Sequence, residues 1–107
     1  MKLLTKELRR NIPPLYSTEK KKNPKVWTKF FAPWTNWTWY VTEFDGKDTF
    51  FGLVEGLEVE LGYFSLNELK SIKGPYDLNI ERDIHFTPKS LSEVRKKDAR
   101  IVVLPDF

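Results

Sequence analysis

The sequence predicts a single α+β domain over residues 1–107, in which an antiparallel meander of about four strands precedes most of the helices. Strand-like segments crowd residues 26–64, turn dipeptides such as Asp45-Gly46 separate them, and helix-start patterns follow. Asp-Gly between alternating strands is a strong hairpin signal, and short connections make neighbouring strands antiparallel. Strands followed by helices, rather than alternating with them, are typical of the α+β class.

The four strand segments differ in composition but all show strand-like patterns. They span residues 26–31, 36–44, 50–54 and 57–64. In the second, Trp37 and Trp39 share one face by alternation, and we expect core packing for both. Leu53 is also expected to be buried. The last segment places its apolar residues on one face and Glu58 and Glu60 on the other, as in a half-buried strand.

Three short helices are expected, each opened by a side chain that can cap it. The capping residues are Thr5, Ser65 with Glu68, and Ser90 with Glu93. The second helix should end at Gly74-Pro75, because a glycine just past a helix and a following proline are common stop signals. Residues 79–86 and 101–104 are candidates for two further strands, the latter closing a sheet edge.

Composition excludes several classes of protein. The chain has no cysteine and a single histidine, so thiolate metal sites, cysteine nucleophiles and His-pair metal motifs are ruled out. No apolar run approaches the roughly 20 residues of a membrane helix, and the N-terminus lacks the apolar core of a signal peptide. We therefore expect a cytoplasmic protein without a membrane partner, with a monomer favoured, and we expect no cofactor because no Gly-rich phosphate loop is present.

Charge is distributed unevenly, which suggests either partner steering or internal compensation. Basic residues outnumber acidic ones nine to two in residues 1–29, whereas residues 30–69 have one basic and seven acidic residues. Seven aromatic residues lie between 27 and 40, beside this basic segment. Aromatic rings interleaved with cations are typical of single-stranded nucleic-acid grooves. The candidate binding residues are Lys20, Lys21, Lys22, Lys25, Lys29 and, as an exposed ring in a turn, Trp34.

A second candidate site is Glu81-x-Asp83-x-His85. If this segment is a strand, the three side chains share one face, since alternate residues point the same way. Two carboxylates and an imidazole could ligate Mn²⁺ or Zn²⁺ or serve in acid–base catalysis. A salt-bridged surface is the competing interpretation and is the one we favour.

The hydroxyl-rich sequence Tyr16-Ser17-Thr18 has no base beside it. Hydroxyls without a base are weak nucleophiles, so a loop or capping role is predicted. Residues 17–24, which include Lys20 to Lys22, read as a mobile polar loop on the surface.

Several strings in a fixed order resemble a known family. They include Pro13-Pro14-Leu15-Tyr16-Ser17-Thr18, Asn36-Trp37-Thr38-Trp39-Tyr40, Phe50-Phe51-Gly52-Leu53-Val54 and Glu60-Leu61-Gly62-Tyr63-Phe64-Ser65-Leu66. In this order they resemble the bacterial domain-of-unknown-function family 2958, which occurs on plasmids and conjugative elements. The resemblance implies a small accessory protein of a mobile genetic element and carries no catalytic mechanism.

These observations favour a non-enzymatic binding module whose partner is a protein or a nucleic acid. A protein partner requires an aromatic or acidic patch, for example Glu55, Glu58 and Glu60. A nucleic-acid partner requires the lysines and Trp34 on one continuous face. The alternative is an enzyme, which requires Glu81, Asp83 and His85 to line a pocket.

Overall fold

The computed structural model describes residues 2–97, and the α+β class predicted from the sequence is confirmed within them. The predicted strand at 101–104 lies outside the described residues. In chain order the elements are α1 (Lys6–Asn11), β1 (Lys25–Val26), β2 (Thr28–Phe31), β3 (Thr38–Phe44), β4 (Thr49–Glu55), β5 (Val59–Ser65), α2 (Leu66–Ser71), a 3₁₀ turn (Pro75–Asp77), β6 (Glu81–Arg82), β7 (Lys89–Ser90) and α3 (Leu91–Lys97).

The main sheet of the described residues has five antiparallel strands in the order β5-β4-β3-β2-β6. The predicted meander corresponds to β2 through β5, and β6 adds to the free edge of β2. The first predicted strand is divided in two, because β1 leaves this sheet to pair with β7. Trp27 lies at the break, where its backbone N–H donates to the carbonyl of Val41 at 2.8 Å.

One face of the sheet, which we call the closed face, carries most of the core. Its centre is aromatic: Phe50 is fully buried, with ring centroids 4.6 Å from Phe44 and 5.5 Å from Phe30. Trp39 is buried on the same face, as predicted. Apolar residues from the N-terminal segment, α2 and the β6 approach cover it, namely Leu3, Leu4, Ile12, Leu66, Leu69 and Ile80.

The opposite face, which we call the open face, is covered over only part of its width. Leu53 is fully buried there, as predicted, and Tyr40 is 7% exposed. Leu91 and Val94 of α3 and Val26 of β1 pack over these two residues. Because α3 covers the centre of the open face, it does not reach the β5 side, which lies beside residues 16–24 instead.

Helix starts follow their predicted caps. The Thr5 hydroxyl accepts from the Leu8 amide at 3.1 Å, the Ser65 hydroxyl from Glu68 at 3.2 Å, and the Ser90 hydroxyl from Glu93 at 3.3 Å. The end of α2 differs from the prediction: the helix finishes at Ser71, three residues before Gly74.

Gly74 is explained by packing rather than by helix termination. A Cβ at this position would lie 2.4 Å from the indole ring of Trp34, and φ of Gly74 is an ordinary −99°. Glycine is therefore needed for close approach of a ring. In residues 2–97, no helix has the length and apolar character required to cross a membrane.

Candidate partner-binding cleft

The site begins with an irregularity in β3. Val41 pairs with Gly52 and Glu43 pairs with Phe51, so that Thr42 is an extra residue on the β3 side. Such a bulge bends the strand and redirects the side chains that follow it. Glu43 thereby faces the open side of the sheet with Phe51, although simple alternation from Trp39 and Val41 would have placed it in the closed core.

Glu43 is only 3% exposed, and its carboxylate organises the chain segment 14–19, which we call the strap. One oxygen accepts from the amide of Tyr16 at 2.8 Å. The other accepts from the amide of Thr18 at 2.9 Å and from the Thr18 hydroxyl. Hydrogen bonds to a charged acceptor are worth roughly 1.5–3 kcal/mol each, so the start of the predicted mobile loop is instead fixed to the sheet.

The strap shows a second sign of being fixed. Tyr16 has φ of +70°, a left-handed conformation that is uncommon for a bulky residue and is maintained only where surrounding contacts impose it. The Ser17 hydroxyl donates to the carbonyl of Pro14 at 2.5 Å. The predicted loop or capping role of Tyr16-Ser17-Thr18 agrees with these contacts.

Between the strap and β5 lies a cleft of about 290 Å³, which we call the tyrosine cleft. Three of its residues expose large apolar surfaces: Tyr16 is 63% exposed, Tyr63 56% and Leu61 43%. Phe51 forms part of the floor, with its ring centroid 4.9 Å from that of Tyr63. Lining residues are Tyr16, Thr18, Glu19, Lys21, Pro24, Thr42, Glu43, Phe51, Leu61 and Tyr63.

Carboxylates outnumber ammonium groups in the lining of the cleft by two to one. Partial removal from water raises the pKa of the Tyr63 phenol, and a hydrogen bond with the Tyr16 side chain acts in the same direction. The carboxylates of Glu43 and Glu19 raise this pKa further, because negative charge disfavours the phenolate. Lys21 supplies one positive charge to the lining, against the two carboxylates.

The candidate lysines have separate local environments. Lys21 lines the tyrosine cleft, and Lys20 and Lys22 are exposed beside it. The ammonium of Lys25 lies 4.5 Å from the Trp27 ring centroid. Lys29 forms an ion pair with Asp83 at 4.0 Å and lies 5.7 Å from the Tyr40 ring centroid, so part of its charge is compensated within the fold.

Trp34 is not the exposed ring that its turn position predicted. It is half-buried, packs against the closed-face core and contacts Gly74. Trp37, expected in the core, is 38% exposed instead and lies over Gly56. Tyr16 and Tyr63 are exposed aromatic residues that line one cleft together with a candidate lysine, Lys21.

Glu81, Asp83 and His85 do not form one strand face, because β6 ends at Arg82. Asp83 lies in a turn, where its carboxylate accepts from the His85 amide at 2.9 Å and pairs with Lys29. In the described part of the chain, no three His, Cys, Asp or Glu side chains are grouped as a metal site would require. The salt-bridged interpretation agrees with the contacts of Asp83.

The proposed acidic patch also needs correction. Glu58 and Glu60 are exposed, but Glu55 is only 1% exposed and faces Thr38 and Val59 across the sheet. A different charged surface appears near the N-terminus. It is a groove of about 580 Å³, which we call the basic groove, lined by Lys2, Leu3, Leu4, Lys6, Arg9, Leu66 and Lys70.

Sequence reasoning missed the importance of Tyr16, Glu43 and Tyr63. One signal was present: in the alternating segment 36–44, Glu43 falls on the same face as Trp39 and Val41, where a charge is out of place. When alternation places a charged residue on the face of a strand that packs in the core, either the charged side chain is buried or a bulge shifts the alternation. Both occur here, since Glu43 is buried and a bulge precedes it.

The fold and the cleft define a small α+β protein with an exposed aromatic cleft between its strap and β5. The chain belongs to the family described as Protein of unknown function (DUF2958), whose sequence model matches residues 2–102. No curated protein and no solved structure shows significant similarity to the chain.

Proposed function

We propose that this chain is a non-enzymatic binding module that contacts a protein partner through the tyrosine cleft and the adjoining surface of β5. One observation carries the proposal: Tyr16, Leu61 and Tyr63 are exposed around a cleft whose wall is fixed by a buried carboxylate. Tyrosine is enriched in protein interfaces because it offers a large apolar ring together with a polar hydroxyl.

Preorganisation of the strap supports this proposal. Binding costs conformational freedom, and a surface that is ordered before the partner arrives loses less of it. The hydrogen bonds from Tyr16 and Thr18 to Glu43 hold the strap in place.

The same surface is poorly suited to nucleic acid. Phosphate contacts require a local excess of cations, whereas the tyrosine cleft is lined by Glu19 and Glu43 against Lys21. If nucleic acid is the partner, the basic groove is the better location, since Lys2, Lys6, Arg9 and Lys70 contribute to its lining. We therefore place protein ahead of nucleic acid.

The biological setting is part of the proposal. We propose that the chain acts in the cytoplasm as an accessory protein of a bacterial mobile genetic element, which is the setting that the resemblance of its sequence strings to the family implies. The enzyme alternative at Glu81, Asp83 and His85 has less support, because Asp83 is engaged by Lys29 and by the backbone of its own turn.

A capture experiment with matched tyrosine variants tests the proposal. Immobilised wild-type protein, Tyr63→Ala and Tyr76→Ala are incubated with bacterial lysate, with and without nuclease. Tyr76 is 98% exposed and does not line the tyrosine cleft, so its variant controls for the loss of a surface tyrosine.

We expect a bound protein that survives nuclease, is retained by Tyr76→Ala and is lost with Tyr63→Ala. Capture abolished by nuclease would replace the protein partner with nucleic acid, and Lys6→Glu with Lys70→Glu would then test the basic groove. Capture unaffected by Tyr63→Ala would show that the tyrosine cleft is not the binding surface.

A further inference from the structure

We infer that the tyrosine cleft accepts one cationic side chain, arginine or lysine, from the protein partner. This inference rests on the proposed function and specifies what the cleft recognises. It depends on the size of the cleft, on its aromatic walls and on its excess of negative charge.

The size of the cleft suits a side chain better than a cofactor. Pockets for small molecules typically measure about 300–1,000 Å³, and this cleft, at about 290 Å³, lies just below that range. It is formed between the strap and the outermost strand of the described sheet. A side chain projecting from an approaching protein surface can therefore enter it without opening the core.

The walls provide the contacts that a cation prefers. Tyr16 of the strap and Tyr63 of β5 expose large ring surfaces at the cleft, and Phe51 also lines it. Cations are attracted to the faces of aromatic rings, by about 0.5–1 kcal/mol at exposed sites. Aromatic walls also cover the apolar stem of a lysine or arginine, which contributes buried area.

The charged residues of the lining favour a cationic side chain over an anionic or neutral one. The two carboxylates in the lining, Glu19 and Glu43, outnumber the one ammonium group, Lys21. The carboxylate of Glu43 is held in place by Tyr16 and Thr18, so its charge is fixed close to the cleft. An anionic group would meet the single cation Lys21 but would be repelled by both carboxylates, and a neutral group would gain only the apolar contacts.

The direct test is a titration of the isotopically labelled protein, monitored by the backbone amide signals of Thr18 and Tyr63. The probe is N-acetylarginine amide, and the control is N-acetylcitrulline amide, a neutral molecule of nearly the same shape. Inorganic phosphate is the third probe. Low ionic strength is used, because at 0.1 M salt the interactions between exposed charges more than about 10 Å apart are largely screened.

We expect the arginine probe to bind about three- to tenfold more tightly than the citrulline probe, from its charge and its ring contacts. Glu19→Gln should weaken the arginine probe by about two- to fivefold. Lys21→Ala should strengthen it by a similar factor, because a like charge is removed. Tyr63→Leu should weaken it, while Tyr76→Leu should leave it unchanged.

Three outcomes would overturn the inference. Equal binding of the arginine and citrulline probes would show that charge is not recognised. Phosphate binding that is lost with Lys21→Ala would identify an anion site. No change at Thr18 and Tyr63 with any probe would show that the cleft takes no small polar group.

The inference and the proposed function fail in different ways. If a partner is captured through Tyr63 but the arginine probe does not discriminate, the proposed function stands and the inference is wrong. If the probe discriminates but no protein is captured, the cleft binds cations and the proposed protein-binding function is wrong.

Discussion

The two faces of the sheet are formed by the same strands, yet different elements cover them and to different extents. On the closed face, Phe50 and Trp39 are covered by the N-terminal segment and α2. On the open face, α3 covers Tyr40 and Leu53, but Leu61 and Tyr63 stay exposed beside the strap. Alternation along a strand distributes residues between two faces, and only the covering elements decide which face becomes core. The exposed part of the open face can therefore change in sequence without rebuilding the core.

The largest expected effect lies in the closed face. Phe50→Ala removes a ring that is fully buried against Phe44, Phe30 and Phe64. Loss of a buried phenylalanine typically costs about 3–5 kcal/mol. Urea denaturation followed by tryptophan fluorescence should show a lower midpoint with an unchanged slope. A loss below about 1 kcal/mol would mean that this face is not the principal core.

The next largest loss of stability is expected at Glu43, whose carboxylate attaches the strap to the sheet. Glu43→Ala removes the acceptor for the Tyr16 and Thr18 amides and leaves those donors without their partner. Each unsatisfied donor costs about 1–3 kcal/mol unless water reaches it. We expect reduced stability together with faster hydrogen exchange at both amides. Exchange that stays slow would show that the strap is held by other contacts.

A smaller effect is expected for Tyr63 on the open face, where it forms a matched pair with Tyr40. Tyr40 is 7% exposed and Tyr63 is 56% exposed. Tyr40→Ala should destabilise the fold by several kcal/mol, on the order of other buried aromatic truncations. Tyr63→Ala should change the free energy of unfolding by no more than about 0.5–1 kcal/mol. Similar losses for the two variants would show that the β5 side belongs to the core.

The smallest effect is electrostatic and lies in the β3–β4 turn. Backbone N–H groups of Lys47 and Asp48 hold the pKa of the Asp45 carboxyl below its ordinary value of 3.8. A depressed folded-state pKa gives stability that is present above pH 3.8 and is lost as pH falls through the folded value.

Asp45→Asn removes this titration while keeping a side-chain oxygen that can accept hydrogen bonds. The difference in unfolding free energy between wild type and Asp45→Asn should therefore shrink as pH falls from about 6 to about 2. A difference that is constant with pH would contradict the assigned cause, because a neutral amide cannot lose charge.

The features that the sequence predicted correctly depend on residues that are close together along the chain. The Asp45-Gly46 hairpin forms as predicted, with Gly46 at φ of +86°, and the Ser65 and Ser90 caps form because their hydrogen bonds span only three residues. Trp39 and Leu53 are buried because alternation assigns them to faces that are covered.

The features that the sequence did not predict depend on strand irregularities or on contacts between distant parts of the chain. The bulge after Val41 inserts one residue and reverses the face of Glu43, which a regular period of two cannot show. The contact of Trp34 with Gly74 joins residues in different elements, so a turn residue became half-buried. In the same way, the tyrosine cleft joins the strap to β5, and no local pattern relates Tyr16 to Tyr63.

The hydrogen bond between Thr18 and Glu43 also sets an order of events during synthesis, because the strap is synthesised before its acceptor. Thr18 precedes Glu43 by 25 residues, so at about 5–20 residues per second the strap waits on the order of one to five seconds for its partner. The wall of the cleft is therefore completed only after Glu43 of β3 has been synthesised. The position of Tyr16 beside β5 is therefore a property of the finished fold and not of the N-terminal segment alone.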